Sequence, residues 1–132
     1  MANPIDQEFY GEIRVLLVTD NSSSLHAISK VFNHHPDMVV VATVDDCNPA
    51  LDLERHLKPQ IILVDLDIKS SGGRETIICI RRALPDIAII ALSLSDLTVF
   101  WKAALEAGAN EVVHKLSLNS DLLPACWRVL QR

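Results

Sequence analysis

The sequence predicts an α/β fold: a doubly wound, five-stranded parallel sheet built as (βα)5, with strand order 2-1-3-4-5. Three observations carry that expectation. Five short apolar runs recur along the 132 residues, "IRVLLVT", "MVVVATV", "QIILVD", "IAIIALS" and "EVVHK". They are near-continuous and rich in Val and Ile, as expected of parallel strands covered on both faces. The segments between them place apolar residues at helical spacing. Finally, a proline introduces three of the runs, in "HPDMVVV", "KPQIILV" and "LPDIAII", where it ends the preceding helix and sets the turn into the strand. Right-handed crossovers with short links leave an open sheet, and ligands then bind beyond the carboxyl ends of its strands, beside the switch point between strands 1 and 3.

Taken in order, residues 1–11 read as a flexible lead-in and residues 12–132 as the domain, with no second domain and no low-complexity tract. The first strand ends at Thr19 and Asp20, and "TDNSS" offers N-caps for the first helix. His34 and His35 stand before Pro36 at that helix's C-terminus, where a charged imidazole suits the dipole. With no acids or cysteines at metal spacing, these two and His26, His56 and His114 read as surface residues. The second strand ends in Asp45 and Asp46, a polar turn leading to Asn48. Asn48 is expected to cap the next helix, with Pro49 at its first position and Ala50, Leu53 and Leu57 on one face. The third strand ends at Asp65, with Asp67 just beyond, and the fourth at Ser93. Leu97, Trp101, Ala104 and Leu105 form the next helical stripe, ended by Gly108, and the fifth strand ends at Lys115.

Composition narrows the function classes. Hydrophobic residues at 49% and charged residues at 22% are ordinary for a globular chain, and the formal net charge of -5 argues against this segment wrapping nucleic acid by itself. No apolar run approaches the roughly 20 residues that span a bilayer, and "MANPIDQEFYGE" lacks the basic start and apolar stretch of a signal peptide. The three cysteines, Cys47, Cys79 and Cys126, are far apart and form no CxxC pair, so buried free thiols in a reducing cytoplasm are expected.

In the proposed order, strands 1, 3, 4 and 5 are contiguous, so Asp20, Asp65, Ser93 and Lys115 converge on one pocket while Asp45 and Asp46 lie at the sheet edge. Two or three carboxyl groups with a backbone carbonyl suit Mg²⁺, which prefers oxygen ligands. One carboxylate can act as nucleophile and form an acyl phosphate, while a hydroxyl and an ammonium receive the phosphoryl oxygens. Asp65 is the candidate nucleophile, and Asp20, Asp65 and Asp67 are the candidate metal set, Asp67 through its backbone carbonyl with its side chain solvated. Ser93 suits either a phosphate contact or the start of the next turn.

These residues resemble the receiver domains of bacterial two-component response regulators, in a flavodoxin-like fold. The resemblance spans roughly residues 13–131 and rests on Asp20, the "LVDLD" around Asp65, Gly73, Ser93, "AGAN" before strand 5, and Lys115. It implies that Asp65 is the phosphoacceptor from a histidine kinase and that Ser93 and Lys115 couple the phosphoryl group to a conformational shift. Leu116 after Lys115, together with Ser93, is most similar to regulators that carry a helix-turn-helix DNA-binding domain. That domain is not within this sequence, so DNA and transcription would be reached through an additional C-terminal domain.

Three positions depart from the family's pattern. Thr19 stands where a second acid is usual, so Mg²⁺ binding is expected to be weakened. Ile68-Lys69 replaces Met-Pro, which is expected to loosen the loop after Asp65. Val112 stands where an aromatic is common. Val99, Phe100, Val112 and Trp127 are either extra core or an exposed face for a partner, and the resemblance implies dimerisation or output through the helix 4 to helix 5 face. The leading function is thus a non-enzymatic, cytoplasmic signalling receiver. A degenerate receiver that binds partners without phosphorylation is the alternative. A haloacid-dehalogenase-type phosphatase also carries a DxD motif, but on its first strand and with a further acidic pair after the lysine, which the 17 residues following Lys115 do not supply.

Overall fold

The computed structural model describes residues 12–131; the lead-in expected at residues 1–11 lies outside them. Five strands alternate with five helices: β1 (Ile13–Val18), α1 (Ser22–Asn33), β2 (Met38–Val44), α2 (Cys47–Leu57), β3 (Ile61–Asp65), α3 (Gly73–Ala83), β4 (Ala88–Ser93), α4 (Thr98–Ala107), β5 (Glu111–His114) and α5 (Leu118–Leu130). A single 3-10 turn, Lys115–Ser117, joins β5 to α5. The sheet is parallel throughout in the order β2-β1-β3-β4-β5, as expected.

The apolar runs are continuous because the sheet separates two cores. Val15, Leu17 and Leu63 face α1 and α5, where Ile28, Phe32, Leu122 and Val129 pack on them. The alternate residues Leu16, Val18, Ile62 and Val64 face α2, α3 and α4, against Ala50, Ile77, Ile80 and Ala104. Successive side chains of a strand point to opposite faces, so central strands must be apolar at every position. β3 is buried along its whole length, whereas the edge strand β2 is largely half-buried or exposed.

Three local expectations give way. Helix α2 begins one residue before Asn48, and its cap is Asp46, whose carboxylate accepts from the Cys47 amide at 2.7 Å. Pro49 therefore falls third in the helix, among the first four residues whose amides lack an intrahelical partner, so its missing N–H breaks no helical bond. The α4 stripe also fails as core. Only Ala104 is fully buried there, while Leu97 precedes the helix and is exposed, as is Leu105.

The cysteine expectation is overturned as well. Cys47 and Cys79 are joined as a disulfide between the first residue of α2 and α3, with Cα atoms 6.3 Å apart, inside the normal bridging range. They are 32 residues apart in sequence, and only the packing of α2 beside α3 brings them together. Cys126 alone remains a free thiol among the described residues, and burial pushes its pKa up to about 12.

Candidate functional site

β3 delivers Asp65 to the carboxyl end of the sheet at its centre, between β1 and β4. The carboxylate is wholly buried, a position that normally disfavours its charge. Four donors compensate. Oδ1 accepts from the Asp67 amide at 2.9 Å and pairs with the Lys115 ammonium at 2.5 Å. Oδ2 accepts from the Thr19 hydroxyl at 2.7 Å and the Ser24 hydroxyl at 3.2 Å. Burial alone would raise the carboxyl pKa. The Lys115, Thr19 and Asp67 hydrogen bonds, with the lysine charge, outweigh it and hold Asp65 below the ordinary value of 3.8.

The surrounding chain is shaped to permit this. Gly73 opens α3 against the backbone of the site, and a Cβ there would lie 2.8 Å from the Asp65 carbonyl oxygen and closer still to Leu66 Cα. Only glycine allows that approach without a shift of backbone. Thr19 is fixed in turn, because its Oγ1 accepts from the Asn21 amide at 3.1 Å while Asn21 caps α1.

Asp67 is not merely solvated. Its Oδ2 lies 3.2 Å from Lys115 Nζ and accepts from the Leu94 amide at 3.0 Å, so one ammonium bridges two aspartates. The loop that follows has two anchors at Ile68-Lys69. Ile68 is buried in the core, and the Lys69 amide donates to Asp20 Oδ2 at 3.0 Å, tying strand ends 1 and 3 together. Ser93 lies on the neighbouring strand and is buried, but its hydroxyl is turned into the β4–α4 loop. It donates to the Ser95 carbonyl at 2.9 Å and accepts from the Ser95 amide at 3.0 Å. The same Ser95 carbonyl accepts from Trp101 Nε1 at 2.6 Å, which links the end of β4 to α4.

Asp45 and Asp46 make no contact with Asp65, although Asp45 lines a cleft shared with Thr19 and Asp20 at the edge of the sheet. His114 is engaged rather than free at the surface, with Nε2 donating to the Leu94 carbonyl at 2.9 Å. Of the candidate partner residues, Val99, Phe100 and Trp127 are exposed, with Val99 at 67%, whereas Val112 is half-buried against the α2–α4 core.

Ser24 escaped the sequence reading. A signal was nonetheless present: it shares the buried face of α1 with Ile28, Val31 and Phe32. A hydroxyl at a core position near strand ends calls for a polar partner.

The donor set is a poor fit for Mg²⁺ as it stands, with Asp20, Asp65 and the Asp67 carbonyl as the oxygens that would hold it. Among the described residues no three His, Cys, Asp or Glu side chains form a group that could hold a metal. Thr19 supplies an uncharged hydroxyl where a further carboxylate would strengthen metal binding, and both Asp65 oxygens are already occupied by protein donors.

Fold and site together define a doubly wound signalling-type α/β domain with an acid–lysine centre at the carboxyl ends of its strands. The chain belongs to the response regulator receiver domain family, which it matches over residues 15–126. It is 33% identical over 111 residues to a protein-glutamate methylesterase/protein-glutamine glutaminase of Pectobacterium atrosepticum, covering 81% of this chain and 31% of that protein. It is 31% identical over 112 residues to the nitrate/nitrite response regulator protein NarP of Escherichia coli K12, covering 85% of this chain and 52% of that protein. Among solved structures, a LuxR-family two-component response regulator from Aurantimonas superposes with a TM-score of 0.81 at 28% identity, over 91% of this chain and 86% of that one. The chain thus spans about a third to a half of the length of these curated relatives. No helix among the described residues is long and apolar enough to cross a membrane.

Proposed function

We propose that Asp65 accepts a phosphoryl group from a histidine kinase and that the domain passes its state to an output, in the manner of transcription regulators. The observation that carries this reading is the buried Asp65–Lys115 pair at the carboxyl end of the sheet. Lys115 keeps the carboxylate ionised, and therefore nucleophilic, in a place that would otherwise protonate it. It also stands where charge must be met once a phosphoryl group arrives. Ser93 would serve as a second contact by leaving Ser95, and the Ser95–Trp101 bond would carry that change into α4.

Output would pass through the exposed apolar residues of α4 and α5, Val99, Phe100 and Trp127, as a homodimer face. DNA contact would belong to a C-terminal domain outside this sequence, as the resemblance to helix-turn-helix regulators implies. The domain is a cytoplasmic, non-enzymatic module on this reading. Mg²⁺ would bind weakly, through Asp20 and the Asp67 carbonyl, and only after Asp65 released a donor. The test is intact mass after incubation with Mg²⁺ and a small phosphodonor: one added phosphoryl group on the native chain, none on Asp65→Asn. An unmodified native chain would reject the reading.

A second reading, a receiver that binds partners without phosphorylation, is favoured by one observation. Every hydrogen-bonding direction of the Asp65 carboxylate is already filled from within the protein.

A further inference from the structure

We propose that the Thr19 and Ser24 hydroxyls clamp Asp65 Oδ2, standing in for a bound cation, and that Ser24 is a positioning residue whose release sets how fast Asp65 reacts. This rests on the reading of Asp65 as phosphoacceptor and adds an atom, a rate-setting residue and a reason for the poor metal fit.

The two carboxylate oxygens are held differently. Oδ1 faces an ammonium at 2.5 Å and a backbone amide fixed by the turn at 2.9 Å. All four bonds end on an ionised carboxylate, but only Lys115 brings a charge of its own. Oδ2 faces only neutral hydroxyls, which can rotate away without moving the backbone. An attacking oxygen needs a free lone pair, so Oδ2 is the nucleophilic atom. Its two donors are unequal. Thr19 is close, at 2.7 Å, and is itself held by the Asn21 amide. Ser24 is more distant, at 3.2 Å, and among the described residues the carboxylate is the sole partner of its hydroxyl. Ser24 is therefore the donor that leaves.

With acetyl phosphate as donor, Oδ2 attacks phosphorus and a new P–O bond forms. The P–O bond to acetate breaks and acetate departs with its electron pair, so no proton changes hands. Lys115 remains on Oδ1 throughout and offsets charge on the incoming group. The same clamp explains the poor metal fit, since a cation reaching Oδ2 would have to displace the hydroxyls that already donate to it.

The experiment measures the rate of single phosphoryl addition against acetyl phosphate concentration, by intact mass, for the native chain, Ser24→Ala, Ser24→Cys, Ser24→Thr and Asp65→Asn. Mg²⁺ titration calorimetry runs alongside. Losing one hydrogen bond to the ionised carboxylate from the ground state should raise the saturating rate of Ser24→Ala by about 10-fold or more. The half-saturating donor concentration should not change. Ser24→Cys, with a weak donor, should move the same way, and Ser24→Thr should return the native rate. A purely structural role for Ser24 would not speed the reaction, so an unchanged or slower Ser24→Ala rate overturns the proposal. If no protein is labelled, the phosphoacceptor reading falls and the clamp is judged by Mg²⁺ alone. Tighter Mg²⁺ binding in Ser24→Ala then sustains it, and equal binding overturns it.

Discussion

Asp65 and Asp46 both stand at the end of an apolar run, yet the fold gives them opposite fates. Asp46 lies just past the edge strand β2, is exposed, and spends its carboxylate capping α2. Asp65 ends a central strand, is fully buried, and is held by donors from the end of β1, from α1 and from the β5–α5 turn. The means of holding each region also differ. The α2 start beside Asp46 is tied covalently through Cys47 to α3, whereas the Asp65 centre is held by charge and hydrogen bonds alone. Position in the strand order, rather than the local sequence, decides which acid can do chemistry.

The largest test of that contrast removes the central cation. Lys115→Met leaves a buried carboxylate without its ammonium and should cost about 3–5 kcal/mol, read from urea denaturation. The edge region should respond instead to reductant. Opening Cys47–Cys79, which closes a loop of 32 residues, should cost about 2–4 kcal/mol. With that bridge intact and Cys126 buried, a thiol reagent should find no reactive thiol in the native described region and one after denaturation.

Smaller changes sharpen the same comparison. Asp46→Ala removes a cap and should cost about 1 kcal/mol, while Asp45→Asn, on an exposed residue, should fall within about 0.5 kcal/mol. Acid should separate the two regions. Because the folded Asp65 pKa lies below its ordinary 3.8, the stability it contributes is complete above that value and is lost as pH falls through the depressed one. The acid-dependent loss should vanish in Asp65→Asn and persist in Asp46→Ala.

The sequence announced this centre unevenly. β1, β3 and β4 were legible because both of their faces are buried, which forces apolar residues at every position. Asp65 and Lys115 were legible because a charge at the end of such a strand needs a partner. Ser24 was not, since its contact spans 41 residues and depends on how α1 rolls against the sheet. The α2 cap was misplaced because "DDCN" offers three capping residues within four positions and local propensity does not choose among them. The α4 stripe misled because helical periodicity marks an apolar face without saying that the face is covered. Leu97 and Phe100 remain exposed.

The most direct measurement of the central claim locates the phosphoryl group among the acids. After phosphodonor treatment, borohydride converts an acyl phosphate of aspartate to homoserine, and peptide mass spectrometry reads the position. Homoserine at residue 65 alone is the predicted result. Homoserine at residue 20, 45, 46 or 67, or none after complete sequence coverage, would contradict it.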